Sequence, residues 1–185
     1  KNLLTLDKLE VEGNVPLDFV CETLMRGIEI KVISNNISVN IIELGNEGRL
    51  SSLRLREVLK DLNEILTLMI MDYSKRDLSE EEAKNVLKSI TKLEHRLLHI
   101  AKALGYDLNN QQQVSETFVN PRGYRVLRRE IHIPINISQN LVKSFHSLSN
   151  IVKTDANNLQ KVDGVGMKRA KAIIKTLRQM KRGRD

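Results

Sequence analysis

The stretch that most constrains the fold is LQKVDGVGMKRAKAII, residues 159 to 174, in which two glycines flank one valine. Apolar residues at helical spacing stand on both sides of the glycines, so the stretch predicts two short helices joined by a tight turn. A dinucleotide-binding fingerprint needs a third glycine three residues after the second. Arg169 occupies that position, and no strand pattern precedes Gly164. The sequence therefore favours a helical hairpin over a nucleotide fold.

Residues 159 to 170 match the pattern hxxhxGhGxxxA, where h is apolar, and resemble the helix-hairpin-helix motif. The two glycines leave the hairpin backbone open to a phosphate, and the second helix begins near Met167 with unpaired N–H groups facing outward. A purely structural hairpin is the alternative, but the basic flank favours DNA binding. The predicted DNA-binding residues of this hairpin are Gly164, Val165, Gly166, Lys168, Arg169, Lys171 and Lys175.

A degenerate copy of the motif stands 32 residues upstream. The packing positions that coincide at this offset are Leu127 with Leu159, Ile133 with Val165, Ser138 with Ala170, and Phe145 with Leu177. His132 and Pro134 replace the glycines, and Pro134 removes one backbone donor. We therefore expect the hairpin at residues 164–168 to make the stronger phosphate contact. The pair predicts a compact tandem helix-hairpin-helix domain, of the RuvA domain 2-like class, over residues 121–185.

The positive charge of the chain is confined to its last third. Residues 1–121 contain 15 Lys and Arg against 19 Asp and Glu, a net charge of −4, whereas residues 122–185 contain 15 against 4, a net charge of +11. An anionic partner should therefore bind the C-terminal part. Binding through phosphates reads no base, so it should be independent of sequence and sensitive to salt.

A second basic group precedes the degenerate copy. Arg122, Arg125 and Arg128, with Arg129 beside them, fall at helical spacing and are predicted to contact DNA. A solvated basic face is an equally good interpretation. Because no carboxylate cluster accompanies the hairpins, we predict no catalytic residue and no metal site in this chain.

The first 115 residues predict a helical bundle. Aromatic residues make up 3% of the chain and Trp is absent, so the core must consist of Leu, Ile and Val, which suits helices packed on helices. The predicted helices run from residue 3 to about 13, from Pro16, from 53 to 73, and from a capping box at Ser79 and Glu82 to Gly105. Residues 32–44 are rich in β-branched side chains, so that strand and helix both remain open there. Residues 109–116 are polar and loop-like, and we place the domain boundary between 110 and 121.

Two further patterns in this part carry little weight. His95 and His99 are four residues apart beside Glu94, but no third metal ligand is indicated and the order differs from HExxH. The glycines at 45 and 48 form a GxxG loop, but its inner Glu47 would repel phosphate, so a structural turn is favoured.

Several segments together resemble the DisA family of bacterial diadenylate cyclases. They are IIELGNEGRL, LMIMDYS, ALGYD and RGYRVL, followed in order by the paired hairpins. The resemblance implies a helical linker domain over residues 1–115 and favours helix for residues 32–44. Because the sequence has no secretory signal and no run of 18 or more apolar residues, we expect a cytoplasmic protein without a membrane segment. The resemblance also implies a homo-octamer, and regulation by branched DNA such as Holliday junctions.

The same resemblance implies an N-terminal cyclase domain that uses ATP with Mg²⁺ or Mn²⁺ to make cyclic di-AMP. Its Asp-Gly-Ala and Arg-His-Arg motifs are absent here, since Asp163-Gly164 is the single Asp-Gly and lies in the hairpin. We therefore expect no catalytic residue and no cofactor in this chain, which begins with Lys1 and looks like part of a longer protein. The alternatives are a stand-alone helix-hairpin-helix adaptor of repair or recombination, and a helical oligomerisation scaffold.

Overall fold

A computed structural model of the chain describes residues 2–43, 48–91 and 96–182. In these ranges the chain forms ten α-helices, one π-helical turn and a ladder of two short strands. In chain order the elements are α1 (Asn2–Glu12), β1 (Val15–Pro16), α2 (Leu17–Glu43), α3 (Arg49–Tyr73), α4 (Glu80–Ile90), α5 (Leu97–Ala103), α6 (Gln111–Glu116), β2 (Phe118–Val119), the π turn (Val126–Glu130), α7 (Ile135–Phe145), α8 (Leu148–Lys153), α9 (Ala156–Leu159) and α10 (Met167–Arg182). The predicted all-α class is confirmed.

The linker helices, α2 to α6, pack around the long helices α2 and α3. Helix α4 lies against α3, and α5 and α6 lie against α2. The faces that meet are aliphatic, with Leu24 and Ile28 of α2 and Leu66 and Met69 of α3 all fully buried. Helix α2 continues without interruption to Glu43. Residues 32–43 are therefore helical, despite the β propensity of their branched side chains.

The capping box at Ser79 is confirmed, because its side chain accepts from the Glu82 amide while the Glu82 carboxylate accepts from the Ser79 amide. Three other expectations were wrong. The helix predicted to reach Gly105 ends at Ile90, and a shorter helix follows from Leu97. Pro16 lies in strand β1 rather than in the helix, which starts one residue later.

The third difference concerns the segment predicted to be a loop, residues 109–116, which contains helix α6. The Asn110 side chain accepts a 3.0 Å hydrogen bond from the Gln113 amide and so caps the N-terminus of this helix. Val114 on its inner face is fully buried. One buried apolar side chain and one side-chain cap therefore accompany the short helix α6 in an otherwise polar sequence.

Helix α1 packs on the C-terminal part of the chain, against α8 and α10. The strand that follows it pairs with β2 in antiparallel register, Val15 opposite Val119 and Pro16 opposite Phe118. Contacts therefore cross the predicted division between residues 1–115 and 121–185. The positions of the two domain boundaries remain predictions.

The end of α3 is fastened to the start of the hairpin domain through one carboxylate. Asp72 Oδ1 accepts hydrogen bonds from the amides of Gly123 and Tyr124, at 2.7 and 2.6 Å, and Oδ2 accepts from the amide of Arg125 at 2.9 Å. Burial and the nearby charge of Glu10 raise the pKa of Asp72 to about 7, although the amides of Arg125 and Tyr124 act in the opposite direction. We call these contacts the Asp72 clamp.

A buried ion pair lies beside the clamp. The Arg125 guanidinium reaches Oε2 of Glu10 and Oδ1 of Asp7, both at 2.6 Å, and the Tyr73 hydroxyl donates to Oε1 of Glu10 at 2.5 Å. Burial raises the pKa of Glu10, while the charge of Arg125 opposes that shift. The cluster connects α1, α3 and the segment before the π turn, and so fixes the hairpin domain against the linker helices.

Candidate nucleic-acid interface

The second hairpin joins α9 to α10 through residues 160–166. Asp155 caps α9 by accepting a 2.8 Å hydrogen bond from the Asn158 amide. The turn closes through two short-range bonds, from the Val162 amide to the Leu159 carbonyl and from the Val165 amide to the Val162 carbonyl. Leu159, Val162 and Val165 are buried, so the hairpin tip is held from beneath by its apolar side chains.

The two glycines of this hairpin have different roles. Gly164 has φ +81°, and a Cβ atom there would lie 2.9 Å from Cγ1 of Ile137 in α7. A glycine is therefore required at this position for backbone conformation and for packing of the two hairpins. A Cβ atom at Gly166 would meet nothing within 4 Å. The exposed face of Gly166 is the open backbone that a phosphate could approach.

Helix α10 begins immediately after Gly166, and its first amides have no partners within the helix. Lys168 is exposed beside them, and Lys171 and Lys175 are exposed on the next two turns. Arg169 differs, because its Nη1 donates to the Gly164 carbonyl and so braces the turn from outside. The amide end of a helix dipole and the flanking lysines together form a site suited to an anion.

A shallow groove of about 550 Å³ continues along α10. Lys171, Lys175, Arg178 and Arg182 line it, and Asp155 stands at its edge. These residues recur on one face of the helix, so that a basic track leads away from the hairpin tip. A track of this kind fits a sugar-phosphate backbone better than a small enclosed ligand.

The first hairpin repeats the second with the predicted offset of 32 residues. Helices α7 and α10 start at Ile135 and Met167, and the Ser138-to-Pro134 amide bond of 2.9 Å corresponds to the Ala170-to-Gly166 bond of 3.0 Å. His132 even has φ 60°, the left-handed conformation found at Gly164. The degenerate copy is therefore a true second hairpin. It differs by the absence of an N–H on Pro134 and by side chains at both glycine positions.

The structure corrects the role predicted for Arg125. This residue is 3% exposed, and its guanidinium is held by Glu10 and Asp7. A buried, doubly paired guanidinium cannot reach a phosphate outside the protein. Arg125 is therefore a structural residue that joins α1 to the hairpin domain.

Arg122 and Arg128 are also engaged within the protein. Arg122 Nη1 donates to main-chain carbonyls at the end of α3, with 2.6 Å to the carbonyl of Ser74. Arg128 Nη2 lies 3.3 Å from Glu64, and Arg129 lies 3.4 Å from both Glu64 and Asp61. Arg122 thus satisfies the carbonyls of a helix end, so its predicted contact with DNA is corrected as well. Arg128 and Arg129 remain partly exposed, and a DNA contact by Arg128 stays a prediction.

Sequence reasoning did not identify Asp72, Glu10 and Tyr73 as a connected group. The available signal was the RGYR segment, whose amides and arginines meet these residues in the fold. The helical spacing of its arginines suggested an exposed binding face. In the fold, Arg125 instead points inward to the carboxylate of Glu10 on α1.

Some predicted features lie outside the described residues. They are Glu94 and His95 of the weak metal pattern and residues 45–47 of the GxxG loop. None of the helices in the described ranges has the length and apolar character needed to cross a membrane.

Comparison with known proteins gives two family matches. The family described as the DisA bacterial checkpoint controller linker region matches residues 1–113, and the helix-hairpin-helix motif matches residues 132–183.

The chain is 40% identical over 185 residues to the DNA integrity scanning protein DisA of Thermotoga neapolitana, covering 100% of this chain and 53% of that protein. It is 41% identical over 182 residues to that of Thermotoga maritima, covering 98% and 51%. It is 35% identical over 177 residues to that of Clostridium beijerinckii, covering 95% and 49%. The chain thus spans about half the length of the curated relatives it matches.

Proposed function

The chain belongs to the DisA family, and we propose that it is the DNA-binding part of a protein that scans DNA integrity. In this proposal the paired hairpins hold the DNA backbone without reading bases, and they prefer branched DNA such as a Holliday junction. The DNA integrity scanning proteins of Thermotoga and Clostridium, which it resembles over about half of their length, support the assignment.

The second hairpin carries the proposal. Gly166 has an open face, the first amides of α10 follow it directly, and Lys168 stands beside them. A phosphate placed there meets backbone donors and a positive charge without displacing any side chain. The basic groove along α10 extends the contact to neighbouring phosphates.

The preference for branched DNA follows in this proposal from the unequal hairpins. The second hairpin grips one strand through backbone amides, whereas the first lacks the Pro134 donor and presents His132. In this proposal the first hairpin adds little affinity on a straight duplex. It adds more on branched DNA, where the strands diverge. Arg128 lies beside the first hairpin and supplies a side-chain contact there.

The remainder of the full protein is proposed to be a diadenylate cyclase that converts two ATP into cyclic di-AMP with Mg²⁺ or Mn²⁺. The family resemblance supports this, together with the length of the relatives. The linker helices would then pass the state of the hairpins to the cyclase through the Asp72 clamp. We place the protein in the cytoplasm, where its DNA and its nucleotide substrate are found.

Assembly into an octamer is also proposed, with the far end of α2 and α3 among the subunit contacts. Ile30, Ile33 and Ile37 of α2 are exposed at helical spacing, and so are Leu50 and Leu53 of α3. An exposed aliphatic stripe on two neighbouring helices is unusual on a solvated surface and typical of an interface. Sedimentation of the chain and of a variant with Ile33→Glu tests this part separately.

The test of DNA binding is affinity for a four-way junction and for a linear duplex over a salt series. The chain is compared with a hairpin variant that carries both Gly166→Glu and Lys168→Glu. Lys102→Glu, on the exposed surface of α5, is the control. We expect tighter junction binding, a steep loss with salt, and loss of binding only in the hairpin variant. Equal binding by the chain and the hairpin variant would contradict the proposal.

A further inference from the structure

A cleft of about 700 Å³ opens where the linker helices meet the first hairpin. One side consists of residues from α2, α3 and α4, and the other contains Arg128 and Ile135. Ile135 is the first residue of α7, so the amide end of that helix borders the cleft. The volume lies within the range of pockets that hold small molecules.

The lining of this cleft is strongly basic, and we call it the lysine cleft. Its cations are Lys31, Lys60, Lys84, Lys88 and Arg128. It also contains two carboxylates, Glu64 and Glu80, so that five positive charges face two negative ones and leave a net charge of +3. This excess lies largely within the part of the chain whose overall charge is negative. The cleft is therefore a local concentration of charge that composition does not reveal.

Three of the cations have no carboxylate partner within the described ranges. Glu80 pairs with Lys84 at 2.7 Å and Glu64 pairs with Arg128 at 3.3 Å, which leaves Lys31, Lys60 and Lys88. Lys31 is half-buried, and its pKa is lowered first by burial and then by the charge of Lys88. Like charges held together in a concave site attract an anion, because its binding removes their repulsion.

The cleft also has features that inorganic phosphate alone would not use. Leu68, Leu87 and Ile135 give it an apolar wall. The Oδ1 atom of Asn63, on the same lining, is buried and accepts no hydrogen bond from the described residues. A ligand with a hydrogen-bond donor on an apolar or sugar-like body would satisfy it once the Asn63 side chain turned toward the cleft.

We propose that the lysine cleft binds a small molecule carrying two or more phosphates on an organic body, of the nucleoside polyphosphate class. The phosphates lie among Lys31, Lys60 and Lys88, and the organic body lies along the apolar wall toward Asn63. Glu64 on the lining of the cleft and Asp61, which pairs with Arg129 nearby, disfavour a continuous DNA backbone there. Because the two walls belong to different parts of the chain, a bound ligand joins the linker helices to the first hairpin.

The experiment is calorimetric titration of the chain with ATP and with inorganic tripolyphosphate, each without added metal. The test variant is Lys31→Met, Lys88→Met, which keeps the aliphatic volume, and the control is Lys102→Met on α5. We expect one site per chain, an affinity at least tenfold lower in the double variant, and no change in the control. ATP should bind more tightly than tripolyphosphate, because only ATP reaches the apolar wall.

The outcomes separate this site from the hairpin. Gly166→Glu should retain ATP binding while it loses DNA, and the double variant should retain DNA while it loses ATP. If the double variant does not fold by circular dichroism, Lys60→Glu at an exposed position replaces it with the same expectation. Equal ATP affinity in the chain and the variant overturns the proposal, as does competitive displacement of ATP by a short duplex.

Discussion

Oδ1 of Asp72 accepts a 2.6 Å hydrogen bond from the backbone N–H of Tyr124, across 52 positions of the chain. The contact places the last turn of α3 against the segment that leads into the first hairpin. Two more amides share the same carboxylate, so the joint is formed by main-chain donors and one side chain. Main-chain donors cannot move without the backbone, which makes the Asp72 clamp a rigid connection.

Removing this carboxylate should destabilise the protein strongly. Asp72→Ala leaves the buried amides of Gly123, Tyr124 and Arg125 without an acceptor, and we expect the free energy of unfolding to fall by about 3 kcal/mol. Urea unfolding followed by circular dichroism measures the change. Asp107→Ala, at an exposed position, is the control and should shift the value by less than about 0.5 kcal/mol. Similar losses in the two variants would count against the clamp.

The reassignment of Arg125 can be separated from DNA binding. Arg125→Met leaves the carboxylates of Glu10 and Asp7 without their buried cation, and we expect about 3–5 kcal/mol of destabilisation. Lys168→Met should leave stability unchanged and reduce the salt slope of DNA binding by about one. Thermal melting and binding at several salt concentrations give the two readouts. A stable Arg125→Met protein with a reduced salt slope would restore the original prediction.

The two hairpin glycines should respond differently to the same methyl group. Gly164→Ala places a Cβ atom in left-handed backbone 2.9 Å from Ile137, and we expect a loss of about 2 kcal/mol in unfolding free energy. Gly166→Ala meets open space and should unfold like the parent chain, but its methyl group should weaken DNA binding severalfold. Unfolding and binding are measured on both variants. An unchanged DNA affinity in Gly166→Ala would show that no phosphate approaches this face.

His132 should tolerate glycine but not a branched side chain. Its φ of 60° is a conformation in which β-branched residues are strained, although the side chain itself is exposed. We expect His132→Val to cost about 1–2 kcal/mol and His132→Gly to stay within about 0.5 kcal/mol of the parent. Chemical denaturation decides between them. If valine is as stable as glycine, the backbone at the first hairpin is not held in the left-handed region.

The single cysteine should be unreactive in the folded protein. Cys21 is fully buried in α2, and burial raises the pKa of its thiol to about 12. Since the thiolate is the reactive form, a chromogenic disulfide reagent should react only at the rate of unfolding. The absorbance trace in buffer and in 6 M guanidinium, about the concentration that unfolds most proteins, provides the comparison. Rapid reaction in buffer would mean that α2 opens locally.

Much of the helical content follows from the sequence because local signals and burial agree there. Ser79 and Glu82 form the cap that their spacing predicts, and the alignment of the two hairpins at 32 residues survives even where glycine is lost. In both cases the determining contacts lie within a few residues along the chain. Short-range patterns of this kind can be identified before any tertiary structure is known.

The positions that sequence reasoning misplaced depend on distant partners. The arginines at 122 and 125 have the spacing of an exposed basic face, and only the approach of α1 and the end of α3 supplies the carboxylate and carbonyls that hold them. The lysine cleft likewise draws its cations from three α-helices and the π turn, each of which looks like an ordinary solvated surface alone. Neither arrangement has a signature within one segment.

The packing of α1 against α10 has a consequence for synthesis. A ribosome adding about 5–20 residues per second needs on the order of ten to thirty seconds to proceed from the end of α1 to the start of α10. During that interval α1, whose Leu6 and Val11 are buried in the folded protein, lacks its contact with α10. Helix α10 therefore completes the packing around α1 only after residues 13–166 have been made, and a chain cut short before residue 167 presents α1 without one of its partners to the cell's chaperones and proteases.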